Sequence, residues 1–123
     1  ISPVAGLFGS EWNINLLGGG HNPQAYYRLA GDKIDYLDSV AQNEPVSEIS
    51  LGNRYLNIEL TLKSVPSARL WRFPVETISN SEAGLERSYQ ASCLVLLYPF
   101  RLQPGASLNI KLNWTAGPAS PQV

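Results

Sequence analysis

Methionine is absent from this sequence, an initiator included, and the chain opens on Ile1. A piece of a longer protein is the expectation that follows. There is one cysteine, so no internal disulfide can form. Cys93 sits in ASCLVLLY, where a buried free thiol is expected, because a reactive thiol needs a polar, electropositive setting. Charge is scarce. Charged residues make up 15% of the chain and the net charge is -1, where about a quarter is usual for a soluble domain. The nine basic residues are scattered rather than clustered, which argues against a nucleic-acid partner. So little charge also points to an outer face buried against something else. No run of about 18 apolar residues is present to cross a membrane as a helix. The opening ISPVAGLFGS lacks the basic region and long apolar core of a signal peptide. A cytoplasmic location is expected. His21 is the only histidine, with no cysteine pair or spaced carboxylate beside it, so neither a metal nor a cofactor is expected. Helical periodicity is missing as well.

What the sequence does contain is strand signal. FGSEWNINLL alternates Phe8, Trp12, Ile14 and Leu16 with Glu11, Asn13 and Asn15, the pattern of a half-buried strand. GGGHNPQA reads as a loop, and YYRLA and KIDYL flank a turn at Gly31-Asp32. Residues 38–45 read as a polar loop. VSEISL and RYLNIELTL form a hairpin across Gly52-Asn53, with Leu56, Ile58, Leu60 and Leu62 on one face. ARLWRFPVETI is a further strand, whose Pro74 suggests an edge or a bulge. ERSYQASCLVLLYPF becomes apolar on both faces and reads as a central strand, and LNIKLNW closes the set. About eight strands with short turns predict an all-β fold, an antiparallel β-sandwich. One domain over 1–115 and a flexible tail over 116–123 are expected.

Candidate chemistry gathers in LWRFPVETISNSEAGLERSYQ, residues 70–90. Gly18-Gly19-Gly20 is followed by no helix, so it is read as a flexible loop rather than a phosphate cradle. His21 is read as a solvent-exposed loop residue that can contact a sugar hydroxyl. No nucleophile elbow accompanies the serines. Glu76, Glu82 and Glu86 can meet around a turn, and glycoside cleavage needs two carboxylates about 5–10 Å apart. Cross-strand ion pairs with Arg72 and Arg87 account for the same residues without catalysis. Trp71 and Tyr89 are of the type on which sugar rings stack, with Arg72 and Gln90 for hydroxyls. Trp71 and Phe73 share one face of their strand, and the alternative is that both belong to the core.

The stretch LWRFPVETISNSEAGLERSYQASCLVLLYPFRLQPGASLNIKL, together with FGSEWNINLLGGGHNPQAYYRL, resembles the C-terminal β-sandwich of family 57 glycoside hydrolases, the 4-α-glucanotransferase and α-amylase group. The resemblance covers most of residues 7–114. It implies a galactose-mutarotase-like sandwich, and catalysis by a separate N-terminal (β/α) barrel of the same polypeptide. Nothing here matches a barrel strand, so no catalytic residue is carried over. The matching motif positions are Trp71, Arg72, Pro74, Glu76, Thr77, Ser81, Glu82, Gly84, Tyr89 and Gln90. Arg87 is expected to tie the flanking strands through Glu76. The function implied is a non-catalytic accessory domain of an α-glucan-processing enzyme, buttressing the barrel and contacting α-1,4-glucan. A stand-alone carbohydrate-binding module is the alternative. A mutarotase-type epimerase, using His21 with Glu11 or Glu82, is a third.

Overall fold

The computed structural model describes residues 2–121. It is an all-β antiparallel sandwich of seven strands: β1 (Val4–Ile14), β2 (Ala25–Leu29), β3 (Lys33–Tyr36), β4 (Ala41–Asn53), β5 (Ile58–Ser81), β6 (Gly84–Leu102) and β7 (Lys111–Gly117). The strands hydrogen-bond in the order β1-β6-β5-β4-β2-β3, and β7 pairs with β5. The 24-residue β5 makes the architecture. Its first part, Ile58–Val65, lies between β4 and β7, and its second part runs beside β6. β4 shifts register twice against it, between Asn43 and Val46 and between Val46 and Glu48. Such irregularities add local twist and bend a sheet. The two halves thereby fold face to face, with Trp12 of β1 edge-on to Trp114 of β7 at 5.5 Å between rings.

Alternation sets the layers. On β5 and β6, Leu70, Arg72, Leu94 and Leu96 point inward and are buried. Ile49, Leu51, Leu62 and Tyr27 meet them from the other half. Trp12 and Ile14 of β1, with Leu16 just past its end, close the core, as their spacing predicts. Phe8 is the exception, half exposed near the rim against Tyr98.

Three expectations are corrected. Residues 41–45 are not loop but the start of β4, where Ala41–Asn43 pair with Leu70–Arg72. The polar residues there serve the neighbouring strand, since the Asn43 amide oxygen accepts from Arg72. The β4–β5 hairpin exists, but Gly52 and Asn53 are strand residues and the turn is 54–57. Gly52 is glycine because a Cβ there would lie 2.5 Å from the Tyr26 ring. Asn53 is buried and starts the turn by accepting from the Tyr55 amide at 2.9 Å. Leu56 consequently sits in the turn and is exposed. At the C-terminal end, β7 continues to Gly117, past the expected limit at 115, and Ser120 is hydrogen-bonded to Tyr26, Glu59 and Arg54.

Candidate functional site

Residues 70–90 do not form one site. They are divided by the two faces of β5 and by a bulge. Trp71 points to the outer face and is 43% exposed, whereas Arg72 points inward and is 1% exposed. Arg72 donates to Asn43 Oδ1 at 2.9 Å, Ser39 Oγ at 2.6 Å and Asp35 Oδ2 at 2.8 Å. Its guanidinium carbon lies 4.9 Å from the centre of the Tyr27 ring. Burial pushes the Asp35 carboxyl up, but hydrogen bonds from Arg72 and the Tyr36 amide outweigh it and hold the group below its usual range. Arg72 is a structural anchor with every donor group engaged.

Beyond the bulge the phase of β6 changes. Val75 pairs with Ala91, but Glu76 pairs with Tyr89, leaving Gln90 as the extra residue. A bulge re-aims the side chains that follow it. Tyr89 and Arg87 thereby take the inward positions that simple alternation from Ser92 would give to Gln90 and Ser88. Gln90 instead donates to Thr77 Oγ1 at 3.1 Å, and its carbonyl accepts from Asn15 at 2.9 Å. Glu76, Arg87 and Tyr89 line one wall of a cleft of about 420 Å³ at the end of the sandwich. Gly19, Gly20, His21 and Asp38 line the other. His21 is exposed, lies 3.3 Å from Asp38 Oδ2 through Nδ1, and meets the edge of Tyr36.

The Gly19 backbone lies on the Tyr89 ring, where a Cβ would overlap the ring carbons. The Tyr89 hydroxyl shares a hydrogen bond of 2.6 Å with Ser92 Oγ. Burial pushes its pKa up, against that bond. The expected ion pairs of Arg72 or Arg87 with Glu76 or Glu86 are not formed among the described residues. The register sets Ile78, not Glu76, opposite Arg87. Glu82 stands at the tip of the β5–β6 turn, outside the cleft. There the Ser81 hydroxyl donates to the Gly84 carbonyl at 2.9 Å. Glu11 lies on β1, also outside the cleft, and accepts from Asn13. His21 is therefore assembled with Asp38 and Glu76 rather than with Glu11 or Glu82.

A second polar cluster carried no sequence signal. Glu59, buried on β5, accepts from Tyr26, Arg28 and Ser120. Burial pushes Glu59 up, but hydrogen bonds from Arg28, Ser120 and Tyr26 and the charge of Arg28 outweigh it, holding the carboxyl at about 2. In the sequence Glu59 reads only as the polar member of an alternating strand. Cys93 is buried, as expected, and burial raises its thiol pKa. Among the described residues no cluster of metal-ligating side chains occurs, and no helix is long and apolar enough to cross a membrane.

The folded-over sheet, with its buried anchor and its end cleft, defines a small antiparallel β-sandwich domain. Within that class, residues 2–112 match the family model for the C-terminal part of α-amylase and 4-α-glucanotransferase, and the chain belongs to that family. It is 34% identical over 108 residues to α-amylase 1 of Dictyoglomus thermophilum, covering 86% of this chain and 15% of that protein. The solved structure of 4-α-glucanotransferase from Thermococcus litoralis shares the fold, with a TM-score of 0.63 at 19% identity over 92% of this chain and 14% of that one. The chain thus spans about one seventh of the length of these relatives.

Proposed function

We propose that this chain is the non-catalytic C-terminal accessory domain of an α-glucan-processing enzyme of the 4-α-glucanotransferase or α-amylase type, seated against the catalytic (β/α) barrel of the same polypeptide. On this reading it is a galactose-mutarotase-like sandwich that works in the cytoplasm. The observation that carries it is the outer face of the β1-β6-β5 layer. Trp71, Phe73 and Val75 of β5 stand beside Val95 and Leu97 of β6 on that face, continued by Leu7 of β1. Trp71, Val75 and Leu7 are exposed. An antiparallel sheet that leaves one face in water normally carries polar residues on that face, so an apolar outer face calls for a cover, and contiguous apolar surface marks an interaction site. The relatives' greater length supports a cover from the same chain.

The test is amide hydrogen exchange on this chain alone and within the full-length polypeptide. Protection of residues 71–75 and 93–97 that rises only in the full-length protein supports the buttress. Equal exchange in both refutes it. The exposure of Trp71 favours a second reading, a stand-alone carbohydrate-binding module with Trp71 as its platform. That reading requires maltoheptaose to quench Trp71 fluorescence in the isolated chain, and Trp71→Ala to abolish the response.

A further inference from the structure

We propose that the cleft beneath the β5–β6 hairpin binds a neutral sugar residue through a vicinal diol, with Glu76 accepting and Arg87 donating. The inference rests on the glucan-enzyme reading above and adds to it a place and a mode of contact. Glu76 and Arg87 face one space from adjacent strands. Among the described residues neither side chain makes a hydrogen bond or ion pair within the protein, in contrast to Arg72 and Glu59. The facing wall supplies His21, held by Asp38 at 3.3 Å. Two carboxylates against one guanidinium disfavour a phosphate, and Arg87 disfavours a bare cation. A diol fits both partners: a carboxylate accepts from two adjacent hydroxyls, while a guanidinium donates to their lone pairs.

The space also fits. About 420 Å³ falls within the roughly 300–1,000 Å³ of small-molecule sites. The fixed parts of the cleft are the Gly19 backbone and the Tyr89 ring. Gly19 sits against the Tyr89 ring at Cγ and Cδ1, so that part of the ring is a wall of the cleft and not a stacking surface. Recognition is therefore by hydroxyl groups, without the aromatic stacking implied by the sequence motif. Two hollows of similar size elsewhere among the described residues are walled in part by Arg28, whose guanidinium is already engaged by Glu59.

The experiment is a titration of the ¹⁵N-labelled 123-residue chain with maltotriose, read at the Gly19, Gly20, His21 and Trp71 resonances. The expected result is saturable shifts at Gly19–His21 with a Kd of about 1–10 mM, weakened at least tenfold in Glu76→Gln and in Arg87→Met. Both side chains are exposed, so the amide spectra of the variants verify that the fold is kept. Shifts confined to the Trp71 indole overturn the cleft and favour the platform. Stronger shifts with inorganic phosphate overturn the diol chemistry. No shift at about 50 mM maltotriose, with the outer face still protected in the full-length protein, overturns this inference and leaves the buttress standing.

Discussion

A guanidinium at 1% exposure must find a partner for each of its edges, and Arg72 does so across four segments. Asp35 comes from β3, Ser39 from the following turn, Asn43 from β4 and the Tyr27 ring from β2. Each of the three acceptors takes a different guanidinium nitrogen, an arrangement that one ammonium cannot reproduce. Arg72→Lys is expected to cost about 2–3 kcal/mol, the sum of lost charge-assisted bonds and unsatisfied acceptors. Arg72→Ala is expected to cost about 3–4 kcal/mol, below the top of the range for broken buried pairs because Asp35 is partly exposed. Urea denaturation midpoints measure both. A midpoint for Arg72→Lys equal to that of the parent chain would show that position to be free for another role, such as the sugar contact its motif suggests.

At the scale of elements, Glu59 ties β5 to β2 and to the segment after β7 through Tyr26, Arg28 and Ser120. Its carboxyl sits at about 2 in the folded chain against an ordinary 4.5. The unfolded chain therefore takes up this proton first. The resulting stability is complete above about pH 5 and is lost as pH falls through 4.5 toward 2, with an upper limit of about 3 kcal/mol. Asp35, also held below its usual range, adds in the same direction. Glu59→Gln is expected to be less stable at pH 7 and to unfold with a shallower pH dependence between 5 and 2. Parallel slopes for variant and parent would disprove the linkage. Little of this network was legible beforehand, because nothing in the order of residues joins Glu59 to Ser120. What alternation did reveal were the strands that bury one face: the end of β1 at Trp12 and Ile14, and the β2–β3 and β4–β5 hairpins. It failed where a strand owes its state to its neighbour, as at 41–45, and where Gly52 serves packing instead of a turn. It failed again at Gln90: Pro74 signalled an irregularity close by, but not that the extra residue lies on β6, where it inverts the faces of everything after it. The candidate site was thus legible as a set of residue types, but not as a division between an outer tryptophan, a buried arginine and an end cleft.

At the scale of the whole molecule, low charge and a two-sided apolar layer belong together. A chain that is 15% charged, with a net charge of -1, has little self-repulsion to hold copies apart. Few ionisable groups share the outer face of Trp71, Phe73 and Val75: Arg69 of β5, already paired with Glu44, and Glu11 and Arg101 on the flanking strands. Alone in solution, the 123-residue chain is expected to associate through this face, with a weight-average mass that rises with concentration in sedimentation equilibrium. Placing a charge at the centre of the face removes the driving force, because an isolated carboxylate cannot be buried there without a partner. Trp71→Glu should hold the chain monomeric while shifting its own stability by less than about 1 kcal/mol, since the residue is half exposed and outside the core. The same substitution in the full-length protein should loosen the docked domain, lowering its unfolding temperature there but not in isolation. A monomeric parent chain, or a Trp71→Glu variant that still associates, would move the sticky surface elsewhere and remove the physical basis for docking by this face.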